Sequence, residues 1–304
     1  MTALDRILAK KVILLDGGLG SELEKRNIKI NNELWSASAL LQSPDTIKSI
    51  HRDYFNAGSQ IAITDTYQVH IPFAADTSTG YKLIDLAVDL ARQALNESLE
   101  TEGIIAGSIG PYGAYLANGA EYTGDYQLTQ REYQLFHHER ITRLVQDQVD
   151  VLLLETMPNF EEVKAIVDLI TTEFPETSVF LSFSTEGGVH LWDGTSLSYA
   201  VESLEHVKQI KAIGVNCTEP ENILKAIQNI RPYTTKKIIV YPNAGDTYDP
   251  NSKRWINDHG PIDWSTLVPQ WVKAGAEIIG GCCRTSPEDI FEMKKVLNKN
   301  YKTL

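Results

Sequence analysis

Eight short apolar runs, rich in β-branched residues, recur along the 304 residues, and each is followed by a helical pattern or a turn-rich loop. The runs are Val12-Ile13-Leu14-Leu15, Ile61-Ala62-Ile63-Thr64, Ile104-Ile105-Ala106-Gly107 and Val151-Leu152-Leu153-Leu154, then Val179–Phe183, residues 210–217, Lys237–Tyr241 and residues 276–280. Runs this short and this apolar read as buried strands. Buried strands that each lead into a helix build a parallel sheet, and eight such units favour closure into a (β/α)8 TIM-type barrel over an open sheet. No linker, repeat or low-complexity stretch interrupts the pattern, so residues 1–304 read as one domain.

Local signals place the helices between the runs. Ser43-Pro44-Asp45 supplies an N-cap, a first-turn proline and an acid at the positive helix end; Ile47, Ile50, Tyr54 and Phe55 then fall on one face, and Gly58 stops it. Residues 71–80 read as a loop before a long helix marked by Leu83, Ala87, Leu90, Ala91 and Ala94. Thr129 and Glu132 form a capping-box signature, and Asn159 with Glu162 another. The adjacent His137-His138 pair lacks the i, i+4 spacing of a metal pair and reads as part of a solvated face.

In a parallel barrel the C-terminal strand ends carry the chemistry. All three cysteines lie there: Cys217 closes the sixth run, and Cys282-Cys283 follow Gly280-Gly281 after the eighth. Three thiolates leave one position open on a tetrahedral zinc ion, the arrangement of a catalytic site. Three reduced, buried thiols and a vicinal disulfide are the alternatives from residue type alone. Asp16, Gly17 and Gly18 close the first run, where a side chain points into a site and exposed amides can bind an anion; a helix cap is the other reading of Asp16. Glu155 follows four apolar residues directly and needs a partner. After the third run, residues 111–126 form a long loop with Tyr112, Tyr115, Tyr122 and Tyr126, whose ring faces suit a cation or simply pack over the barrel top. Tyr115 is its candidate binding residue.

The formal net charge of −12 argues against nucleic acid or an anionic membrane as partner, because phosphate binding needs clustered Lys and Arg. An odd cysteine count without a disulfide framework points to a reducing compartment. Met1-Thr2-Ala3-Leu4-Asp5-Arg6 shows no signal-peptide pattern and no run reaches membrane-spanning length, so a cytoplasmic location is expected.

The chain resembles the homocysteine S-methyltransferases, and most closely their stand-alone members that use S-methylmethionine. The stretches that carry the likeness are Leu15-Asp16-Gly17-Gly18, Leu34-Trp35-Ser36-Ala37, Thr66-Tyr67-Gln68, Gly110-Pro111-Tyr112-Gly113-Ala114-Tyr115, Glu121-Tyr122-Thr123-Gly124, Glu155-Thr156, Gly214-Val215-Asn216-Cys217-Thr218, Tyr241-Pro242-Asn243 and Gly280-Gly281-Cys282-Cys283-Arg284-Thr285. Asp65 and Gly20 depart from common choices in that family. The resemblance implies a zinc ion (Zn2+) held by Cys217, Cys282 and Cys283. It implies that Asp16 and Glu155 hold the homocysteine ammonium and that amides of the loop from Gly17 to Leu19 hold its carboxylate. The implied reaction moves a methyl group from S-methylmethionine or S-adenosylmethionine to homocysteine, giving methionine; a monomer or homodimer is expected. Competing expectations are a zinc hydrolase using His190 or His259, a homocysteine module of a cobalamin-dependent synthase, and a homocysteine-binding barrel that is non-catalytic or uses another donor. The second would need a cobalamin-binding Asp-x-His-x-x-Gly, which the sequence lacks.

Overall fold

In the computed structural model of the chain, residues 1–28, 38–71, 77–100, 102–245, 247–249, 254–256 and 261–301 are described; the Leu34-Trp35-Ser36-Ala37 stretch and His259 lie outside them. Eight strands run parallel: β1 Ile13–Leu14, β2 Ile61–Ile63, β3 Ile104–Ile109, β4 Val151–Met157, β5 Val179–Phe183, β6 Ile210–Asn216, β7 Lys237–Tyr241 and β8 Ala276–Ile279. Neighbours follow the order β1-β8-β7-β6-β5-β4-β3-β2. The ring closes where Asp16 N donates to Ile61 O at 3.1 Å and Gln60 N to Leu14 O at 2.7 Å. The fold is therefore the (β/α)8 barrel that the apolar rhythm predicts.

Strand alternation sorts the apolar residues into two layers. Ile13, Leu15, Ile104, Ala106, Val151, Leu153, Phe180, Ala212, Ile239 and Ile278 share the inner cluster, joined by Leu4 and Ile7 of helix α1 (Ala3–Leu8). Leu14, Leu152, Leu154, Leu181, Ile213, Val215, Val240 and Ile279 belong to the outer cluster under the helices. Period two thus holds in runs that look uniformly apolar, because both faces of each strand are covered. Burial of each Val, Leu, Ile or Phe among them contributes roughly 1.5–3 kcal/mol.

The same alternation delivers polar groups to the top of the barrel. Two residues beyond the inner Ala106, Leu153, Phe180 and Ile239 stand Ser108, Glu155, Ser182 and Tyr241; Asn216 stands four beyond Ala212. All five are buried.

The helices that bear on the site are α2 (Leu19–Lys25), α3 (Ser38–Gln42), α4 (Pro44–Ala57), α5 (Thr77–Glu97), α6 (Tyr112–Tyr115), α7 (Gln130–Gln146) and α8 (Phe160–Glu173). Helix α4 starts with Pro44 in its first turn and stops at Gly58, whose φ of 117° is left-handed. At α7 both halves of the Thr129–Glu132 capping box form. At α8 Asn159 caps Glu162 N, but the Glu162 carboxylate turns to other partners, so that box is half made.

Three boundaries differ from expectation. Helix α5 begins at Thr77, inside the segment read as loop, since residues 77–80 carry no breaker before Gly80 and simply extend the helix. β3 runs on to Ile109 and β4 to Met157, so Glu155 and Thr156 lie within a strand. Pairing with β5 resumes at Met157 after an irregularity past Leu154, where Thr156 takes a φ of 59°. Among the described residues no helix is long and apolar enough to cross a membrane.

Candidate metal centre and active site

Two strand ends bring the sulfurs together. Cys217 directly follows β6 and adopts a φ of 47°, a left-handed conformation that a non-glycine residue takes only when its surroundings hold it there. Its N–H donates to Tyr241 O at 3.1 Å, and its carbonyl accepts from Asn243 Nδ2 at 3.3 Å. After β8 the chain passes hard against β1. A Cβ at Gly280 would sit 2.6 Å from Leu15 Cβ, and one at Gly281 would sit 2.1 Å from Thr285 Oγ1. Only glycine fits there, and the close approach lets Gly281 N reach Asp16 O at 2.9 Å and Cys282 N reach Pro242 O at 2.7 Å.

So anchored, Cys282 Sγ lies 3.1 Å and Cys283 Sγ 3.5 Å from Cys217 Sγ. All three sulfurs fall within 4.8 Å of one another, and all are free cysteines. A tetrahedral ion with metal–sulfur distances of about 2.3 Å sets sulfurs about 3.8 Å apart, so the cluster fits zinc. Hydrogen bonds from the Cys282 and Cys283 thiols hold the Cys217 thiol well below its ordinary pKa, and Tyr122 assists. Their hydrogen bonds to Cys217 push the Cys282 and Cys283 thiols up, and burial and the Cys217 charge add to this. A divalent cation would remove this penalty by binding all three as thiolates.

The two carboxylates expected at the site are both present. Asp16 is buried; its Oδ2 accepts from Ile63 N at 2.8 Å, while Oδ1 is buried without a hydrogen-bond partner. It does not cap α2, whose N-cap is Gly18. Glu155 accepts from Ser108 Oγ and, at 3.3 Å, from Tyr241 Oη. Burial raises Asp16 well above the carboxylate range against the Ile63 N–H, and the nearby Glu155 charge adds to it. Burial likewise raises Glu155 to about 7, opposed by Ser108 and Tyr241. Two desolvated acids with spare acceptor capacity suit one arriving cation.

Gly17 and Gly18 owe their identity to packing. A Cβ on Gly17 would lie 2.8 Å from Thr285 Oγ1, and one on Gly18 2.7 Å from Cys282 O. The Gly18 N–H donates to Thr285 O at 3.1 Å, so within the expected anion-binding turn this amide is already occupied.

The tyrosine loop folds into α6 and a 3-10 turn, Ala120–Tyr122. Tyr115 is half-buried, its ring 4.6 Å from His70 and 5.6 Å from Phe136. The tyrosine that meets the sulfurs is Tyr122, with Oη 3.3 Å from Cys217 Sγ. Its preceding neighbour Glu121 carries a buried Oε2 with no hydrogen-bond partner, and burial raises that acid to about 7. The Glu121-Tyr122-Thr123-Gly124 stretch was the available signal for both.

His137 corrects the solvated-face expectation: it is fully buried. Its Nε2 donates to Glu162 Oε1 at 2.7 Å, and its Nδ1 accepts from Arg140 at 2.9 Å. Arg140 also donates to Tyr67 O and Gly110 O, and Glu162 accepts from Tyr112 N and Tyr126 Oη. This buried network straps the tyrosine loop to α7 and α8. His138 stays partly exposed, as expected. Sequence reading also gave no role to Asn216, whose Oδ1 accepts from Thr156 N and Ser182 Oγ, both at 2.8 Å. Its Nδ2 donates to Thr156 Oγ1 at 2.8 Å and lies 3.8 Å from Cys282 Sγ. The proposed hydrolase residue His190 is exposed on a small hairpin.

A family model described as homocysteine S-methyltransferase matches residues 13–297. Homocysteine S-methyltransferase YbgG of Bacillus subtilis (strain 168) is 43% identical over 294 residues, covering 93% of each chain. Homocysteine S-methyltransferase of Escherichia coli (strain K12) is 41% identical over 294 residues, covering 93% of this chain and 94% of that one. The crystal structure of the homocysteine methyltransferase MmuM from Escherichia coli in its metallated form superposes with a TM-score of 0.86 at 38% identity, covering 97% of this chain and 99% of that one.

Proposed function

The chain belongs to the homocysteine S-methyltransferase family, and from that premise we propose that it transfers a methyl group from S-methylmethionine to the sulfur of homocysteine, in a zinc-dependent reaction. The observation that carries the reading is the gathering of three cysteine sulfurs beside two buried, cation-seeking carboxylates at one end of the barrel. S-adenosylmethionine is the second donor of the same chemistry.

Cys217, Cys282 and Cys283 would hold the zinc ion, which when bound would supply an electron-rich, three-thiolate Lewis-acid site that favours the thiolate form of homocysteine. Asp16 and Glu155 hold the homocysteine ammonium, and this fixes where the sulfur can reach. Amides of the turn from Gly17 to Leu19 hold the carboxylate, with Gly17 and Leu19 as donors because Gly18 already serves Thr285. Tyr122 Oη is placed to hydrogen-bond sulfur at the cluster, and Tyr115 belongs to the loop that covers the donor. The barrel wall keeps water away from these charges, which strengthens their attraction to a sulfonium cation. The rest of the task is alignment of the two sulfurs about the moving methyl. Residues 1–304 act as one homocysteine-binding barrel in the cytoplasm, as monomer or homodimer.

A labelled-methyl assay tests this. Zinc-loaded protein is mixed with homocysteine and methyl-labelled S-methylmethionine, with S-adenosylmethionine in a parallel tube, and methionine is read by mass spectrometry. Label in methionine is the expected result, more from S-methylmethionine. No label from either donor, with zinc bound, overturns the reading.

A further inference from the structure

We propose that Glu121 is the residue that binds the α-ammonium group of the methyl donor. The inference rests on the reading above, in which the donor is a sulfonium amino acid.

The reaction brings two amino acids into one cavity, and each carries an ammonium group. Asp16, just past β1, and Glu155, in β4, account for one of them. Glu121 is a third acid at the cluster that this pairing leaves unused. Its Oε2 is buried and has no hydrogen-bond partner. A buried carboxylate oxygen left unsatisfied is unfavourable, and an arriving ammonium would satisfy it.

The backbone of Glu121 is fixed next to Tyr122, the residue that meets the sulfur cluster. Ser184 Oγ donates to Glu121 O at 2.8 Å, and the next residue, Tyr122, touches Cys217 Sγ. On the other side α6 lies flat against the turn: a Cβ on Gly113 would sit 2.9 Å from Glu121 N. The side chain is therefore presented by a scaffold pinned from two directions. The Cys217 charge is felt at Glu121, and the Glu121 charge at the buried Tyr67.

Chemistry decides which donor cation it serves. In the transfer, the sulfonium S–CH3 bond breaks and its electron pair stays on the leaving sulfur, which becomes a neutral thioether. The homocysteine thiolate supplies the electrons of the new S–CH3 bond. A carboxylate laid against the sulfonium would stabilise a charge that the transition state is losing, and would slow the step. The donor's ammonium keeps its charge throughout. A carboxylate on it binds ground state and transition state alike, lowering KM and leaving kcat alone.

The test is Glu121→Gln in the metal-loaded full chain, alongside wild type. Loss of one charge-assisted contact should raise donor KM about 10- to 100-fold. The kcat, the homocysteine affinity measured by calorimetry without donor, and the metal content should stay within about threefold of wild type. Glu121→Asp should fall between the two. The deaminated donor 4-(dimethylsulfonio)butanoate should be used equally poorly by wild type and variant. An unchanged donor KM overturns the proposal. So does a rise in kcat, which would place Glu121 on the sulfonium, or an equal loss of homocysteine affinity, which would place it in the acceptor site. Wild type inert to every sulfonium amino acid is a separate outcome, read before any variant, and overturns the donor assignment together with this inference.

Discussion

Replacing Glu155 by Gln should make the metal-free protein more stable and homocysteine binding weaker. Glu155 is 7% exposed, and burial raises it from 4.5 to about 7. Between those two pH values the folded protein keeps a proton that the unfolded chain has released, so stability falls as pH rises through the window and is flat above it. At about 1.36 kcal/mol for each pH unit, the full cost above pH 7 is roughly 3 kcal/mol. Glutamine cannot ionise, and its amide oxygen can still accept from Ser108. The metal-free, reduced variant should therefore be about 2–3 kcal/mol more stable than wild type at pH 8, with the gap narrowing toward pH 5. Metal must be absent, because a cation at the cysteines would itself ease ionisation of Glu155. Binding moves the other way. Losing the charge on an ammonium contact is worth about 1.5–3 kcal/mol, or a rise of about 10- to 100-fold in homocysteine KM for the loaded enzyme. Urea unfolding at the two pH values and steady-state kinetics at fixed donor check both halves. A variant no more stable at pH 8 would refute the desolvation argument, and an unchanged homocysteine KM would remove Glu155 from the ammonium site.

Cys217→Ser should lose both metal and turnover, measured by elemental analysis and the labelled-methyl assay; full activity there would end the three-thiolate account. Glu162→Ala strips Arg140 and His137 of their buried acid, which usually costs about 3–5 kcal/mol, and chemical denaturation showing less than about 1 kcal/mol would mean the network is solvated. Tyr115→Ala should impair donor use more than homocysteine binding; equal effects on the two KM values would make Tyr115 a packing residue only.

Much of this fold was legible because strand identity is local. Each apolar run announces a strand covered on both faces whatever it pairs with, and eight of them in alternation with helices leave few topologies. Ring closure then puts Asp16, Glu155, Cys217 and Cys282-Cys283 at one end simply because each sits at a strand's C-terminal end. The caps at Thr129 and the stop at Gly58 were legible for the same reason, being settled within one helical turn.

What the tertiary structure decided is which side chains meet. Tyr115 and Tyr122 belong to one loop and look alike in sequence. Only the turn at Ala120–Tyr122, pinned by Ser184 from beyond β5, sends Tyr122 to Cys217 and leaves Tyr115 against His70. His137 reads as surface on its own helix, and becomes core because Glu162 and Arg140 close over it. The Gly18 amide is spent on a residue more than 260 positions away. Backbone preference and hydrophobic period are set by neighbours along the chain, so they can be read there. Burial of a polar group, and the partner that satisfies it, are set by neighbours in space, and those exist only once the barrel has closed.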